Sequence, residues 1–354
     1  KSTYFRFERS AQVDDAKFFY NDTLKKSSNP FYWPKSVYYN KENLSLKLRS
    51  VLEKYKTHSF LIIHKDSIVH EEYWKEWAVT NNKSNSFSIA KSIVSLIAGI
   101  AVDKGYLRDF NHPVKSVFPE MDFFDSDYDV TIGDLLNMSS GLDWDENYYN
   151  PFNITARSYM TKDLTSLTKS LSFSSEAGLN YNYQSGATQL ASLMIEKLLM
   201  DSSSISFSEF SSIYFWEKIG ASEEALWSLD RKNGVEKSFC CFHSNAKDFA
   251  KIGRLFLKKG KINENNIVLN EWYFDKILKS NIVNFYSFGW WKGSSLGIPI
   301  YYMRGFLGQF IITIPEYDLI IVRLGRKNLR NKDNPDLPTA PFEIYVEEVL
   351  KNYI

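Results

Sequence analysis

The sequence predicts an α+β protein: an antiparallel sheet flanked by helices, with an inserted, mostly helical lobe. Three features point there. Strand-like runs near the C-terminus follow one another across short turns, which implies antiparallel pairing. A hairpin pattern near the N-terminus adds strands from the other end of the chain. Between them lies a polar, loop-rich stretch with helical patches. The expected division is an α/β lobe formed by residues 1–107 and 236–354, with an inserted mostly helical lobe over residues 108–235.

The first forty residues or so are rich in aromatics and end in Asn29-Pro30-Phe31-Tyr32-Trp33-Pro34, which predicts an irregular arm on the body of the protein. A helix is expected from Leu44 to Tyr55. Apolar runs around the turn Lys65-Asp66-Ser67 predict a hairpin at about 59–75. The next helix opens at Ser88 and stays apolar nearly all round as far as Asp103-Lys104-Gly105, so it should be a buried central helix. Strands followed by a helix, without regular alternation, argue against a doubly wound sheet. In the middle stretch Thr131–Met138 and Thr188–Leu199 carry helical periodicity. Ser244 is expected to cap an amphipathic helix running to Leu257. Late strands are expected at Phe285–Trp291, Ile298–Met303, Gln309–Ile314 and Asp318–Arg323, with Pro315-Glu316-Tyr317 turning the chain between the last two. A helix from Phe342 to Tyr353 closes the chain.

With 354 residues the chain is long enough for the large core of an enzyme, and its 43 basic and 42 acidic side chains call for neither nucleic acid nor an anionic membrane surface. The expected partner is a small molecule. No apolar run is long enough to span a bilayer, and the N-terminal residues lack the apolar core of a signal peptide. Cys240 and Cys241 are adjacent, which makes a mutual disulfide sterically awkward and predicts ordinary buried residues. His58, His64, His70, His112 and His243 are scattered, without metal-ligand spacing, and His64 and His70 read as strand surface. No phosphate-cradling glycine loop occurs. Neither a metal nor an organic cofactor is expected.

The chemistry-bearing feature is Ser88-Ile89-Ala90-Lys91. Residues three apart on a helix share a face, and the positive end of the first turn favours the negative charge on an attacking oxygen. A lysine held against apolar neighbours loses proton affinity, and the neutral amine can then take the serine proton. Ser166–Lys169 and Ser244–Lys247 repeat the spacing, but Ser166 lies in a polar stretch and Ser244 reads as a helix cap. Only Ser88 precedes a helix able to desolvate its lysine. The competing role for Ser88 itself is a plain helix N-cap.

A proton relay and an oxyanion site have candidates further on. Tyr183-Gln184-Ser185-Gly186 immediately precedes the helical stretch at Thr188–Leu199, and Arg304-Gly305-Phe306-Leu307-Gly308-Gln309 stands where a strand begins. Tyr181 and Tyr183 could equally be packing residues, and the glycines a bulge. In order along the chain, these motifs resemble the serine β-lactamase and D-Ala-D-Ala peptidase superfamily, most closely its class C-like branch of esterases and 6-aminohexanoate-dimer (nylon oligomer) hydrolases. Ser88–Lys91 fits the Ser-x-x-Lys motif and Tyr183–Ser185 the Tyr-x-Ser/Asn motif. Arg304–Gln309 looks like the branch's variant of the Lys-Thr-Gly element. Thr131–Asp143, Phe288–Trp291 and Ser244–Gly253 are similar as well.

The resemblance implies a β-lactamase/transpeptidase-like fold and a division of labour. Ser88 would attack an acyl carbonyl, Lys91 would hold or remove its proton, and Tyr183 would shuttle protons to the leaving group and help activate water. The backbone N–H groups of Ser88 and Gln309 would form the oxyanion hole. Ser185, Gly308 and Arg304 would support the site. Tyr148, Tyr149, Trp291 and Phe306 are candidate cleft-lining residues, with plain packing as their alternative role. One departure matters: where peptidases and β-lactamases of the superfamily carry Lys or His in the third motif, this chain has Phe306, with Arg304 two residues earlier on the same side of an extended strand. The expectation is therefore a serine hydrolase acting on a small ester or amide. The alternatives are a β-lactamase or penicillin-binding peptidase, or a non-catalytic binding or sensor module of the same fold. The resemblance also favours an exported, periplasmic or extracytoplasmic bacterial protein.

Overall fold

Phe60-Leu61-Ile62-Ile63 is apolar at every position, as suits a strand covered on both faces. In the computed structural model, which describes residues 11–74, 82–148, 150, 152–263, 266–279, 282–329, 331 and 336–354, this run is the middle of β2 (Thr57–His64), inside the main sheet. Its neighbours are β3 (Ser67–Tyr73), β9 (Tyr286–Ser287), β10 (Trp290–Ser295), β11 (Ile298–Gly305), β12 (Gln309–Ile314) and β13 (Leu319–Gly325). All are antiparallel, in the order β3-β2-β13-β12-β11-β10-β9, so the two ends of the chain do build one sheet.

The period-two alternation decides what covers each face. Gly253, on α8 (Ala246–Leu257), packs against Ile311, Thr313 and Ile320. Phe310 and Tyr302 point the other way and meet Phe342 of α10 (Ala340–Tyr353), with ring centroids 5.1 and 4.6 Å apart. The terminal helix α10 packs in turn on α1 (Leu46–Lys54). The helix opened by Ser88, α2 (Ile89–Asp103), is buried along almost its whole length and touches β11 and α6 (Ser185–Ser203). Between residues 108 and 235 the other α-helices among the described residues are α3 (Ile132–Leu136), α4 (Ile154–Met160), α5 (Leu164–Lys169) and α7 (Phe207–Ser211), which runs on into a π-helical turn over Ser212–Trp216; α9 (Glu271–Leu278) follows later.

Several expectations need correction. The strand expected over Phe285–Trp291 breaks into β9 and β10. Phe288 and Gly289 turn between them at φ 45° and 85°, and a Cβ on Gly289 would stand 3.0 Å from the Lys91 carbonyl oxygen, so α2 requires a glycine there. A second sheet, β1-β5-β6-β4, was not anticipated. It joins β1 (Tyr20–Leu24) of the N-terminal arm and β5 (Ala225–Leu229) to β6 (Phe242–Ser244) and β4 (Ser84–Asn85), so its ladders cross the expected 235/236 lobe boundary. A small hairpin, β7 (Lys261–Asn263) and β8 (Asn266–Ile267), stands apart. The cap of α8 is Asn245, whose side chain accepts from the Asp248 N–H, while Ser244 is buried in β6. His70 is buried rather than on the strand surface. Cys240 and Cys241 form a vicinal disulfide, with Cys241 at φ 69°; the left-handed conformation lets adjacent side chains meet where an extended chain would point them apart.

Candidate active site

β4 delivers the chain to α2 through a tight turn. The Asn85 side-chain oxygen accepts from the backbone N–H groups of Phe87 at 2.9 Å and Cys241 at 3.1 Å, and Phe87 takes the left-handed region at φ 47°, unusual for a bulky side chain. Ser88 then stands at the head of α2, and its side chain caps no backbone N–H. Its hydroxyl lies instead 3.1 Å from the Lys91 amine one turn on.

Lys91 is 2 % exposed, and its Nζ also donates to Ser185 Oγ and to the Phe239 carbonyl oxygen, each at 3.0 Å. Burial pushes its pKa down from 10.5 to about 8, against the opposing attraction of Glu146. Tyr183 comes from the segment leading into α6. Burial raises its pKa, against the opposing effect of the Ser88 hydroxyl, so the phenol keeps its proton at neutral pH, and its ring lies 5.1 Å from the Lys91 nitrogen. Neither competing pair has this setting, because Lys169 pairs with Glu120 and Lys247 with Glu71, both lysines partly exposed.

Glu146 is the residue the sequence reading missed. Its carboxylate accepts from Trp144 Nε1 at 2.6 Å, from the Ser185 backbone N–H at 2.7 Å, from Ser185 Oγ at 2.6 Å, and from the Tyr148 hydroxyl. The Ser185 N–H is one of the unpaired donors of the first turn of α6, so a carboxylate there satisfies the helix end and meets its positive pole. Gly186 makes room for this arrangement, since a Cβ on it would stand 2.4 Å from the Trp144 indole. Glu146 follows Asp143 and Asp145 in a polar loop, and nothing in the local pattern separates it from a solvated acid.

These groups open onto a cavity of about 480 Å³ lined by Ser88, Glu146, Tyr148, Tyr183, Arg304 and Phe306 and extending to Arg326–Leu329. Phe306 sets its ring on Phe87 at 5.5 Å and stacks on Tyr148 at 5.8 Å, joining the two walls of the cleft. Tyr148 is 41 % exposed along its ring while its hydroxyl turns inward to Glu146. The Arg304 guanidinium lies 3.5 Å from the centre of the Trp291 ring, donates to the Asp336 carbonyl oxygen at 3.3 Å, and sits 3.6 Å from that residue's carboxylate.

Three expected site residues, Trp291, Gln309 and Gly308, do not line the cavity. Trp291 is 2 % exposed and does not line the cavity; its indole is held between the Tyr183 ring, at 5.6 Å, and Arg304, so it props the site from behind. The Gln309 side chain is fully buried, its amide donating to the Gly325 carbonyl oxygen at 2.6 Å and accepting from the Gly325 N–H at 3.1 Å, which ties β12 to β13 and leaves the backbone N–H expected at the oxyanion hole as a separate group. Gly308 leaves space for Arg323, whose Nη1 would be 2.4 Å from a Cβ there. The cavity wall at this turn is Gly305, Phe306 and Leu307. Tyr149 lies outside the described residues.

An antiparallel sheet beside a buried helix headed by a serine, with a lysine one turn on and a tyrosine just before α6, defines the β-lactamase-like class of serine hydrolase folds. Residues 49–228, just over half of the chain, match the family model described as Beta-lactamase, and the chain belongs to that family. The match takes in Ser88, Lys91 and Tyr183. Among solved structures, a putative 6-aminohexanoate-dimer hydrolase from Bacillus anthracis is similar over 100 % of this chain and 94 % of its own, with a TM-score of 0.79 and 16 % identity. A family VIII carboxylesterase is similar over 90 % of this chain and 98 % of its own (TM-score 0.64, 13 % identity). The octameric penicillin-binding protein homologue from Pyrococcus abyssi covers 86 % of this chain and 77 % of its own (TM-score 0.67, 19 % identity). At these identities the likeness is one of fold. Among the described residues no helix is long and apolar enough to cross a membrane.

Proposed function

We propose that this chain hydrolyses a small ester or short amide through an acyl-enzyme on Ser88. The observation that carries the reading is the 3.1 Å separation of the Ser88 hydroxyl and a buried Lys91 amine whose proton affinity is depressed, at the wall of a cavity. The neutral amine takes the Ser88 proton as the oxygen attacks the acyl carbonyl. Tyr183, protonated and lining the same cavity as Ser88, passes a proton to the leaving group and later helps to activate water. The oxyanion is held by the backbone N–H groups of Ser88 and Gln309; preorganised donors of this kind are worth roughly 3–4 kcal/mol of barrier each.

Phe306 supports an ester or amide without a fixed carboxylate over a β-lactam or peptide, since it puts an apolar ring where a substrate-binding cation would stand. Ser88→Ala is expected to abolish p-nitrophenyl ester hydrolysis and to prevent acylation, read by mass spectrometry after a brief pulse of substrate, while leaving the melting transition intact. Undiminished turnover in that variant overturns the acyl-serine reading, and brisk covalent labelling of the wild type by a fluorescent penicillin would favour the penicillin-binding alternative.

A further inference from the structure

We propose that Glu146 is a positioning residue that sets the direction of the hydrogen bonds around Lys91, so that the lone pair of the neutral amine faces Ser88; this rests on the acyl-serine reading above. A neutral amine has two N–H donors and one lone pair, and the Lys91 nitrogen has three close neighbours: Ser88 Oγ at 3.1 Å, Ser185 Oγ at 3.0 Å and the Phe239 carbonyl oxygen at 3.0 Å. The carbonyl can only accept. A hydroxyl can donate or accept, so the direction of the Ser185 bond decides where the lone pair goes.

Glu146 settles that direction. As a carboxylate it only accepts, and it lies 2.6 Å from Ser185 Oγ, so the single hydroxyl proton of Ser185 is committed to it. Ser185 must then accept from Lys91. With both N–H bonds spent on Ser185 and Phe239, the lone pair is left for the Ser88 hydroxyl, which donates to it. The carboxylate is fixed in turn by Trp144, Tyr148 and the Ser185 N–H. An amide in its place has one accepting and one donating end. Wherever the NH₂ group falls, it either faces the N–H donors of Trp144 and Ser185 or donates to Ser185 Oγ, which frees the Ser185 proton to occupy the lysine lone pair.

Few ionisable groups bear on this amine. Glu146 is the charged residue that acts on Lys91, Tyr183 flanks it by ring and phenol, and Arg304 and Asp336 act on Tyr183. Tyr148 shares Glu146 without facing the amine. Removing the Glu146 charge therefore takes away the group that favours the ammonium form.

The test is Glu146→Gln in the full chain, with pH profiles of p-nitrophenyl ester hydrolysis and a melting curve. The expected result is a loss of kcat of ~10- to 100-fold, a part of the roughly 10²–10⁴-fold that a positioned base contributes. KM should stay within about twofold, as for a group that acts only on the proton transfer. The acid limb of kcat/KM, placed near pH 8 by Lys91, should move to lower pH. A folded Glu146→Gln protein with kcat within about twofold of wild type and an unmoved limb overturns the proposal. If that variant does not fold, Ser185→Ala carries the test by removing the group through which Glu146 acts: kcat should fall by about tenfold or more, and wild-type kcat overturns the proposal. Where both single variants fold, the double variant should lose little beyond Ser185→Ala, whereas fully additive losses overturn it. Ser88→Ala in the same assay separates the two levels, because retained turnover there overturns the acyl-serine reading itself.

Discussion

Arg323 on β13, with no exposed surface, donates through Nη1 to the carbonyl oxygen of Gly308 at 2.6 Å. The same guanidinium reaches the carbonyl oxygens of Leu307 at 3.0 Å, Tyr55 at 2.5 Å and Lys327 at 3.3 Å, and the Thr57 hydroxyl at 2.9 Å. Five N–H groups thus meet five acceptors, and among the described residues no carboxylate pairs with the cation. Gly308 and Gly325 provide the slot, since a Cβ on either would stand 2.4 Å from a guanidinium nitrogen. Because Leu307 and Lys327 line the cavity, this buried cation pins two parts of its wall to the sheet.

Arg323→Met should therefore weaken both the fold and the site. It strands four carbonyl oxygens and a hydroxyl, and each buried polar group left unpaired costs about 1–3 kcal/mol. A loss of about 3 kcal/mol or more is expected in denaturant unfolding, with reduced ester hydrolysis at temperatures where the variant remains folded. Arg323→Lys should rescue little, because one compact ammonium cannot span five acceptors. A stability loss below about 1 kcal/mol in Arg323→Met would contradict this account.

How much of this was legible in the sequence depended on whether the signal was local. The apolar face of α2 and its opening Ser88-x-x-Lys91 lie within one helix, and β11 to β13 announce themselves by apolar runs joined through short turns. β1 was hidden because what holds it is remote: Tyr20 pairs with Leu229. β4 is two residues long, too short to show any period. Glu146 acquires its role only when its loop folds against the first turn of α6, and no spacing within the loop records that meeting. Trp291 had the right residue type in the right neighbourhood, but strand facing, which a motif does not encode, turned its indole into the interior. The adjacent cysteines were misread from the geometry of an extended chain, and the left-handed Cys241 removes that premise.

A second prediction concerns Glu236, buried beside α6 and α7. Burial raises its pKa to about 7, despite the Ser208 hydroxyl that donates to it, and the carboxylates of Glu196 and Asp22 push in the same direction. The folded protein thus holds this proton more tightly than the unfolded chain, whose ordinary value is 4.5. The stabilisation is fully present below pH 4.5 and is lost as pH rises through about 7. Glu236→Gln, uncharged throughout, should gain on the wild type by on the order of 3 kcal/mol between those limits. Urea unfolding at several pH values checks this, and a difference between the two proteins that does not grow with pH would count against a protonated, buried Glu236.

The third prediction concerns Phe306, at the position where the resemblance to peptidases and β-lactamases implies a cation. Its ring contacts Phe87 and Tyr148 and lines the cavity with Arg304, whose own charge is already engaged with Asp336 and the Trp291 ring. Phe306→Lys exchanges two aromatic contacts, each worth about 0.5–1.5 kcal/mol, for an ammonium at the cavity wall. Hydrolysis of neutral esters should fall, mainly through a higher KM, while acylation by an anionic penicillin should rise by about tenfold, since a new charge pair worth ~1.4 kcal/mol changes the rate by that factor. The gain should shrink as salt is raised, because an exposed pair is screened over about 8 Å at physiological ionic strength. Gel labelling by a fluorescent penicillin at low and high salt reads both effects. Labelling that stays at the wild-type level in both conditions would show that the missing cation is not what keeps anionic acyl donors out of this site.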